Sequence, residues 1–359
     1  KNDSEVKDLG DVAIIPALVN AHTRLELGSV SEPLGNGGSF TDWTQGVRAH
    51  REERDKTQGD LAASAVSQGV AESHAHAISL IGDIDAGVDW PEIETDVTGV
   101  RYLELTGLTD ESIENAKERA STFLRSSYDV VKWHRGLSPH ATYTAHRDLI
   151  RWIAEKSKRD GIPLAMHIAE TQEELQFLKD QSGLIRELLE SRGDWNPAAF
   201  EAGLRPLDYL DLLAGARRVS VIHGNYLTAD ELSFMGIHGN WMTLVYCPRT
   251  HAYFGHKDYP LEQALELGVQ VALGTDSRAS NPDLSIWREM KFVAENYASI
   301  SPQTIMEMGT VRASTALGFP DGMSVGNPAR LAVVELSDSG KSDCPYEWIM
   351  GSGNEPKLL

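Results

Sequence analysis

Three histidines and one aspartate each close a β-like run in this chain. The runs are Val19-Asn20-Ala21-His22, Leu164-Ala165-Met166-His167, Val219-Ser220-Val221-Ile222-His223, and Val269-Gln270-Val271-Ala272-Leu273-Gly274-Thr275-Asp276. Neutral imidazoles and a carboxylate suit Zn²⁺ or Fe²⁺. Such an ion lowers the pKa of a bound water toward ~7 and supplies hydroxide. Glu170 follows His167 by three residues, within reach of a proton passing between that water and a leaving group. The same position suits a helix first-turn carboxylate on dipole grounds alone. One histidine at a strand end is usually structural; four such ligands on four strands are a site.

Further residues could contact a substrate. His140 ends the run Ser138-Pro139-His140, and Arg249 and His251 follow the run ending at Tyr246. Gly28–Arg54 is Gly-rich and polar and reads as a long loop after the first strand, functional or mobile. It carries Phe40 and Trp43, which would cover a ligand or simply pack the loop down. His74-Ala75-His76 precedes its strand and so belongs to the opposite end, where residues serve stability rather than metal binding.

These residues need elements that converge. Eight candidate strands lie near Leu18–Asn20, Ala77–Gly82, Val100–Leu105, Gly136–His140, Ile162–His167, Val219–His223, Thr243–Tyr246 and Val269–Leu273. Helical stretches alternate with them, among them Gln172–Ser191 and Pro302–Leu317. Alternating β and α units imply an α/β fold with a parallel sheet. With eight strands and no Gly-rich dinucleotide loop after the first, the expected architecture is a (β/α)8 TIM barrel, whose strand ends share one mouth. Val12–Ile15 and Ala329–Leu336 are β-like and could pair beside it. The expected domains are a barrel over 15–319 and a small β appendage from 1–14 and 320–359.

The chain has 359 residues, 41% of them hydrophobic, and a formal net charge of -20. That suits one barrel of ~250 residues plus an appendage. The acidity opposes nucleic-acid and anionic-membrane partners, which need basic patches. No apolar run approaches the ~20 residues of a membrane helix. A small-molecule substrate is the expected partner, and a homodimer is left open, since no stripe specifies one. Two cysteines make no disulfide framework, so a cytoplasmic setting is the default. The opening Lys1-Asn2-Asp3-Ser4-Glu5 has no initiator Met and no signal-peptide core, and no targeting conclusion is drawn from it.

Taken in order, the motifs resemble the amidohydrolase superfamily, in particular its branch of cytosine, guanine, S-adenosylhomocysteine and aminofutalosine deaminases and triazine hydrolases. The family pattern Pro-Gly-x-Val-Asn-x-His-x-His reads here Pro16-Ala17-Leu18-Val19-Asn20-Ala21-His22-Thr23-Arg24. His-x-x-Glu appears as His167 to Glu170, His-Gly as His223-Gly224, and Gly-Thr-Asp-Ser as Gly274-Thr275-Asp276-Ser277. Ser138-Pro139-His140-Ala141 and Cys247-Pro248-Arg249 match further signatures. The resemblance implies one divalent metal on His22, His167 and Asp276. His223, sometimes counted as a ligand, would orient the water or meet the substrate. Glu170 would be the proton shuttle and Asp276 the base. The implied reaction is hydrolytic deamination, or a related displacement, at an electron-poor carbon of an amino-substituted N-heterocycle.

Arg24 departs from this pattern, standing where the second histidine is expected. A guanidinium has no lone pair to offer a metal. Two residues apart on a strand, positions 22 and 24 share a face. A cation ~4–6 Å from a dication costs several kcal/mol even at an effective dielectric near 20. Either the remaining ligands hold the metal, or Arg24 fills the metal position, pairs with Asp276 or Glu170, and leaves a metal-free ligand-binding or non-catalytic relative.

Overall fold

A computed structural model of the protein describes residues 8–56, 60–125, 133–337 and 341–359. The Lys1–Glu5 segment lies outside the described residues. The first strand, β1 (Val12–Pro16), belongs to a small sheet. The next eight run parallel and pair in chain order: β2 (Leu18–Thr23), β3 (Ile78–Asp85), β4 (Thr98–Leu105), β5 (Trp133–Pro139), β6 (Leu164–Ile168), β7 (Val219–His223), β8 (Met242–Tyr246) and β9 (Gln270–Leu273). This is the expected barrel, and all eight predicted runs are strands in it.

Side-chain alternation builds two shells. Leu164, Met166 and Ile168 pack outward among the helices, while Ala165 joins Val19, Ala21, Leu80, Val100, Tyr102 and Ala272 inside the ring. Ala313, Ala316 and Leu317, on the helix Val311–Leu317, fill the interior from the end opposite the mouth. Arg218, just before β7, ties that end shut through the Thr315 carbonyl. Among the described residues no helix is long and apolar enough to cross a membrane.

β9 and β2 meet without a regular ladder. The seam is made just past β9, where the backbone N–H groups of Thr275 and Asp276 both donate to the His22 carbonyl at 3.1 Å. The Asn20 side chain donates to Thr275 Oγ1 at 2.8 Å and accepts from Thr275 N at 3.1 Å. Gly274 allows this approach, because a Cβ there would stand 2.9 Å from the His22 carbonyl oxygen.

The chain ends form the anticipated appended sheet. β1 pairs antiparallel with β10 (Leu331–Glu335), which pairs with β11 (Lys357–Leu358).

Three expectations about helices are corrected. Gln172–Ser191 is two helices, Gln172–Asp180 and Leu184–Arg192, broken where Gln181 and Gly183 take φ of 58° and 83°. Pro302–Leu317 is likewise split, into Pro302–Met308 and Val311–Leu317. The Gly28–Arg54 stretch is not all loop, since Phe40–Lys56 is helical. Its anchor is Glu26, which is buried and accepts from Arg51 Nε at 2.9 Å and from the Arg54 guanidinium. These ion pairs hold Glu26 below the usual carboxylate range despite burial. The helix's apolar stripe, Phe40, Trp43 and Val47, covers only the first turns and ion pairs fasten the rest, so its periodicity is faint.

Asp83 supports the turn that follows β2, accepting from Leu25 N at 2.7 Å. Burial, followed by the charge of Asp85, pushes its carboxyl up to about 8. The unfolded chain loses this proton near the ordinary carboxylate value, whereas the folded one keeps it to about 8. Stability from this group is therefore full in acid and lost as pH rises through that window. Asp83→Asn, which keeps the acceptor, should flatten the fall in melting temperature between about pH 5 and pH 8; an unchanged slope would contradict this account. Gly274→Ala should lower stability by about 1–3 kcal/mol through overpacking at the seam, measured by denaturant unfolding, and a neutral result would show that the seam yields.

Candidate functional site

Regular alternation alone would not aim these side chains at one mouth. In β2 the register slips between Asn20 and Thr23, and His22 swings onto the cavity side although Val19 and Ala21 already face inward. His223 follows the inward Ile222 and would point outward, but its φ of 66° turns it back. Asp276 has φ of 53°, and Ala169, between His167 and Glu170, has 54°. Non-glycine residues in this region cost about 1–3 kcal/mol each and persist only where their surroundings hold them. Tyr259 does so for His223, its hydroxyl donating to the His223 carbonyl at 2.8 Å.

The predicted ligands meet. The ring centroid of His22 lies 5.2 Å from that of His167 and 5.7 Å from that of His223, and His167 and His223 are 5.5 Å apart. One ligand nitrogen from each falls within 4.8 Å of the others. Asp276 Oδ1 stands 3.4 Å from His22 Nε2, and Asp276 Oδ2 accepts from Ser280 Oγ at 2.9 Å. His167 Nδ1 donates to the His140 carbonyl at 2.8 Å, which leaves Nε2 as the free lone pair.

Burial keeps all three imidazoles neutral. It lowers His22, drives His167 well down, and takes His223 to about 3. Against the upward push of burial, His22 and neighbouring charges hold Asp276 at about 2. Three neutral imidazoles beside one carboxylate match the donor set of a divalent ion. His22 supplies the sharpest indication of fit: it is fully buried, its Nδ1 has no hydrogen-bond partner, and its Nε2 has only the loose 3.4 Å contact with Asp276 Oδ1. Such unpaired groups are costly inside a protein, and a metal would take one lone pair.

Glu170 Oε1 lies 3.3 Å from His223 Nε2. Burial, then the charges of Asp276 and Glu174, push its carboxyl well above the usual carboxylate range. Its backbone is fixed by Glu174, whose carboxylate accepts from Ala169 N at 3.0 Å and Glu170 N at 2.8 Å, and by Asn225, which donates to the Glu170 carbonyl at 2.8 Å. Sequence reasoning passed over Glu174, although Thr171-x-x-Glu174 is a helix-start pattern.

These groups floor a cavity of about 510 Å³ with His140 and Arg24 on its wall. Trp43 and Phe40 line its outer part, and the Trp43 indole donates to the Ala279 carbonyl at 2.9 Å. Arg249 and His251, expected as substrate contacts, are not among the lining residues. Arg249 is a strut: it donates to Glu289 at 2.7 Å and to Asp283 at 2.6 Å. His251 packs beside His256 and Tyr259 behind the site. His76 sits at the far strand ends facing Glu355 at 3.3 Å, away from the three-histidine cluster.

Arg24 neither fills the ligand cluster nor pairs with Asp276 or Glu170. Its Nη1 lies 2.7 Å from Glu104 Oε2, a partner the sequence reading missed. The signal was present, since Glu104 alternates with the inward Val100 and Tyr102 on β4. That carboxylate would offset the repulsion expected between Arg24 and a metal.

The amidohydrolase family model matches residues 13–356. The 5-methylthioadenosine/S-adenosylhomocysteine deaminase of Pyrococcus furiosus is 27% identical over 348 residues, covering 92% of this chain and 77% of that protein. The 5'-deoxyadenosine deaminase of Methanosarcina barkeri is 27% identical over 362 residues, covering 94% and 76%. Among solved structures, Helicobacter pylori aminofutalosine deaminase in complex with methylthio-coformycin superposes with a TM-score of 0.78 at 20% identity, covering 95% of this chain and 82% of that one. An adenosine deaminase from Xanthomonas campestris with bound zinc gives 0.69 at 21% identity, covering 97% and 81%. These two likenesses speak to the fold, and the family model, matched along nearly the whole chain, speaks to descent. The chain belongs to the amidohydrolase family.

Proposed function

We propose that the protein is a hydrolytic deaminase of an amino-substituted N-heterocycle, working with one divalent metal. Water adds at the amino-bearing carbon, the C–N bond breaks, and ammonia leaves as the carbonyl product forms. The observation that carries this reading is the buried trio of neutral imidazoles, with His22 Nδ1 unpaired and its Nε2 loosely beside Asp276. The named relatives, deaminases of adenosine-type nucleosides, support the same class of chemistry.

His22, His167, His223 and Asp276 would hold the ion, zinc or iron. When bound, such an ion acts as a Lewis acid that makes water nucleophilic near neutral pH. The chain's own groups do the rest. Asp276 is ionised and accepts the proton of the attacking water at Oδ1. Glu170, protonated and beside His223, gives its proton to the ring or to the departing nitrogen. His140, taken down to about 4 by burial, is neutral and presents a hydrogen-bonding edge to the heterocycle. Trp43 and Phe40 cover the outer cavity and exclude bulk water, which strengthens each electrostatic contact inside.

Elemental analysis of protein loaded with zinc and desalted should find about one equivalent, lost on chelation and absent from His22→Ala. Failure of the wild type to retain metal would end this reading. Glu170→Gln should keep the metal and lower kcat on the best aminopurine or triazine substrate by about 10²- to 10⁴-fold. A variant with full kcat would remove Glu170 from the proton path.

A further inference from the structure

Arg24 and Glu104 are both poorly matched to the groups around them. Both line the inner cavity, with side chains only 10% and 15% exposed. Their 2.7 Å contact is one of charge without hydrogen-bond alignment, for Arg24 Nη1 and Glu104 Oε2 are both buried with no hydrogen-bond partner. His140 Nε2 stands 3.8 Å from the same oxygen, too far to satisfy it. Among the described residues, Arg24 donates no aligned hydrogen bond at all. A guanidinium has five N–H donors and a carboxylate about four acceptor sites. Leaving such groups unmade inside a protein is unfavourable, and a cavity wall is where a ligand can complete them.

Charge decides which ligand. A lone arginine would call for a carboxylate or a phosphate. Here, against burial, Arg24 above all and Arg51 behind it hold Glu104 ionised, at about 2; Arg51 is itself paired with Glu26, so Arg24 and Glu104 are neutral as a unit. An anion would meet Glu104 as closely as Arg24. What fits a donor beside an acceptor is a neutral edge with an acceptor beside a donor.

We propose that Arg24 and Glu104 form one donor–acceptor pair that reads a carbonyl and adjacent N–H on the ring of the bound heterocycle. This rests on the deaminase reading above and names its substrate class: amino-oxo heterocycles, whose lactam edge is separate from the reacting amine. A 6-aminopurine ring does not offer this edge. Its exocyclic donor is the amine that must face the metal ligands, and with its imidazole nitrogen substituted the rest of the ring presents acceptors only, which leaves Glu104 unpaired. The pair lies close to the reacting centre, since Arg24 is two residues from His22 and its charge acts on His167, His223 and Asp276. It therefore meets the ring itself rather than a distant substituent.

Cytosine and 4-aminopyrimidine share ring and amine and differ in the lactam edge, so they isolate this contact. Equilibrium binding of each to the zinc-loaded Glu170→Gln protein, whose turnover is suppressed, should favour cytosine by about 10- to 100-fold, the range for a hydrogen bond to a charged group. Glu104→Gln offers an amide in place of a carboxylate, and Arg24→Lys removes the planar fork. Both should bring the ratio to within about twofold, acting on Kd or KM more than on kcat, with zinc content and melting behaviour retained. Equal or tighter binding of 4-aminopyrimidine to the Glu170→Gln protein would overturn the proposal, as would a preference that survives when Glu104→Gln is added to it in folded, zinc-loaded form. Because binding is read without turnover, absence of deamination would count against the proposed function alone.

Discussion

The site depends on how the barrel closes. One carbonyl, that of His22, takes two backbone donors from the far end of the sheet, Thr275 and Asp276. Thr23 adds a third tie, its hydroxyl donating to the Asp276 carbonyl at 2.8 Å. Each bond is worth about 1 kcal/mol net, but a buried group left unmade costs about 1–3 kcal/mol, so the seam is all or nothing. Closing the cylinder and bringing His22 against Asp276 are one event. A shift of one residue at this seam would leave a sound sheet and a dismantled site.

Beyond the seam, the site is held in conformations the backbone does not favour. His223, Asp276 and Ala169 all sit at positive φ without being glycine. Each is braced by a neighbour outside the histidine–carboxylate cluster: Tyr259 behind His223, Thr23 on Asp276, Glu174 across Ala169 and Glu170. Strain held by rigid surroundings keeps the imidazoles aimed inward without help from a ligand. Burial of the same side chains lowers the three histidines and raises Glu170.

How much of this the chain discloses depends on the kind of signal. The strands were legible because their apolar runs end in recognisable residues, and His22, His167, His223 and Asp276 were legible because each closes one. Their exact aim was not, since it depends on a register slip and on positive φ at residues that carry no glycine signature. The Phe40–Lys56 helix was hidden because its apolar stripe ends at Val47, and Arg51 and Arg54 on Glu26 fasten the remainder. Arg24 shows a third limit. Its charge was evident, but its meaning rests on Glu104, eighty positions away, which only the ring of strands brings alongside. Arg249 and His251 were misjudged in the opposite way: both follow a strand end, yet Asp283 and Glu289 claim Arg249 and aromatic rings enclose His251.

X-ray absorption of the zinc-loaded protein tests the central claim most directly. The account predicts a first shell with about three imidazole nitrogens at roughly 2.0–2.1 Å, together with oxygen donors. A shell of oxygens alone, or one with a single imidazole, would contradict the claim that His22, His167 and His223 form one metal centre.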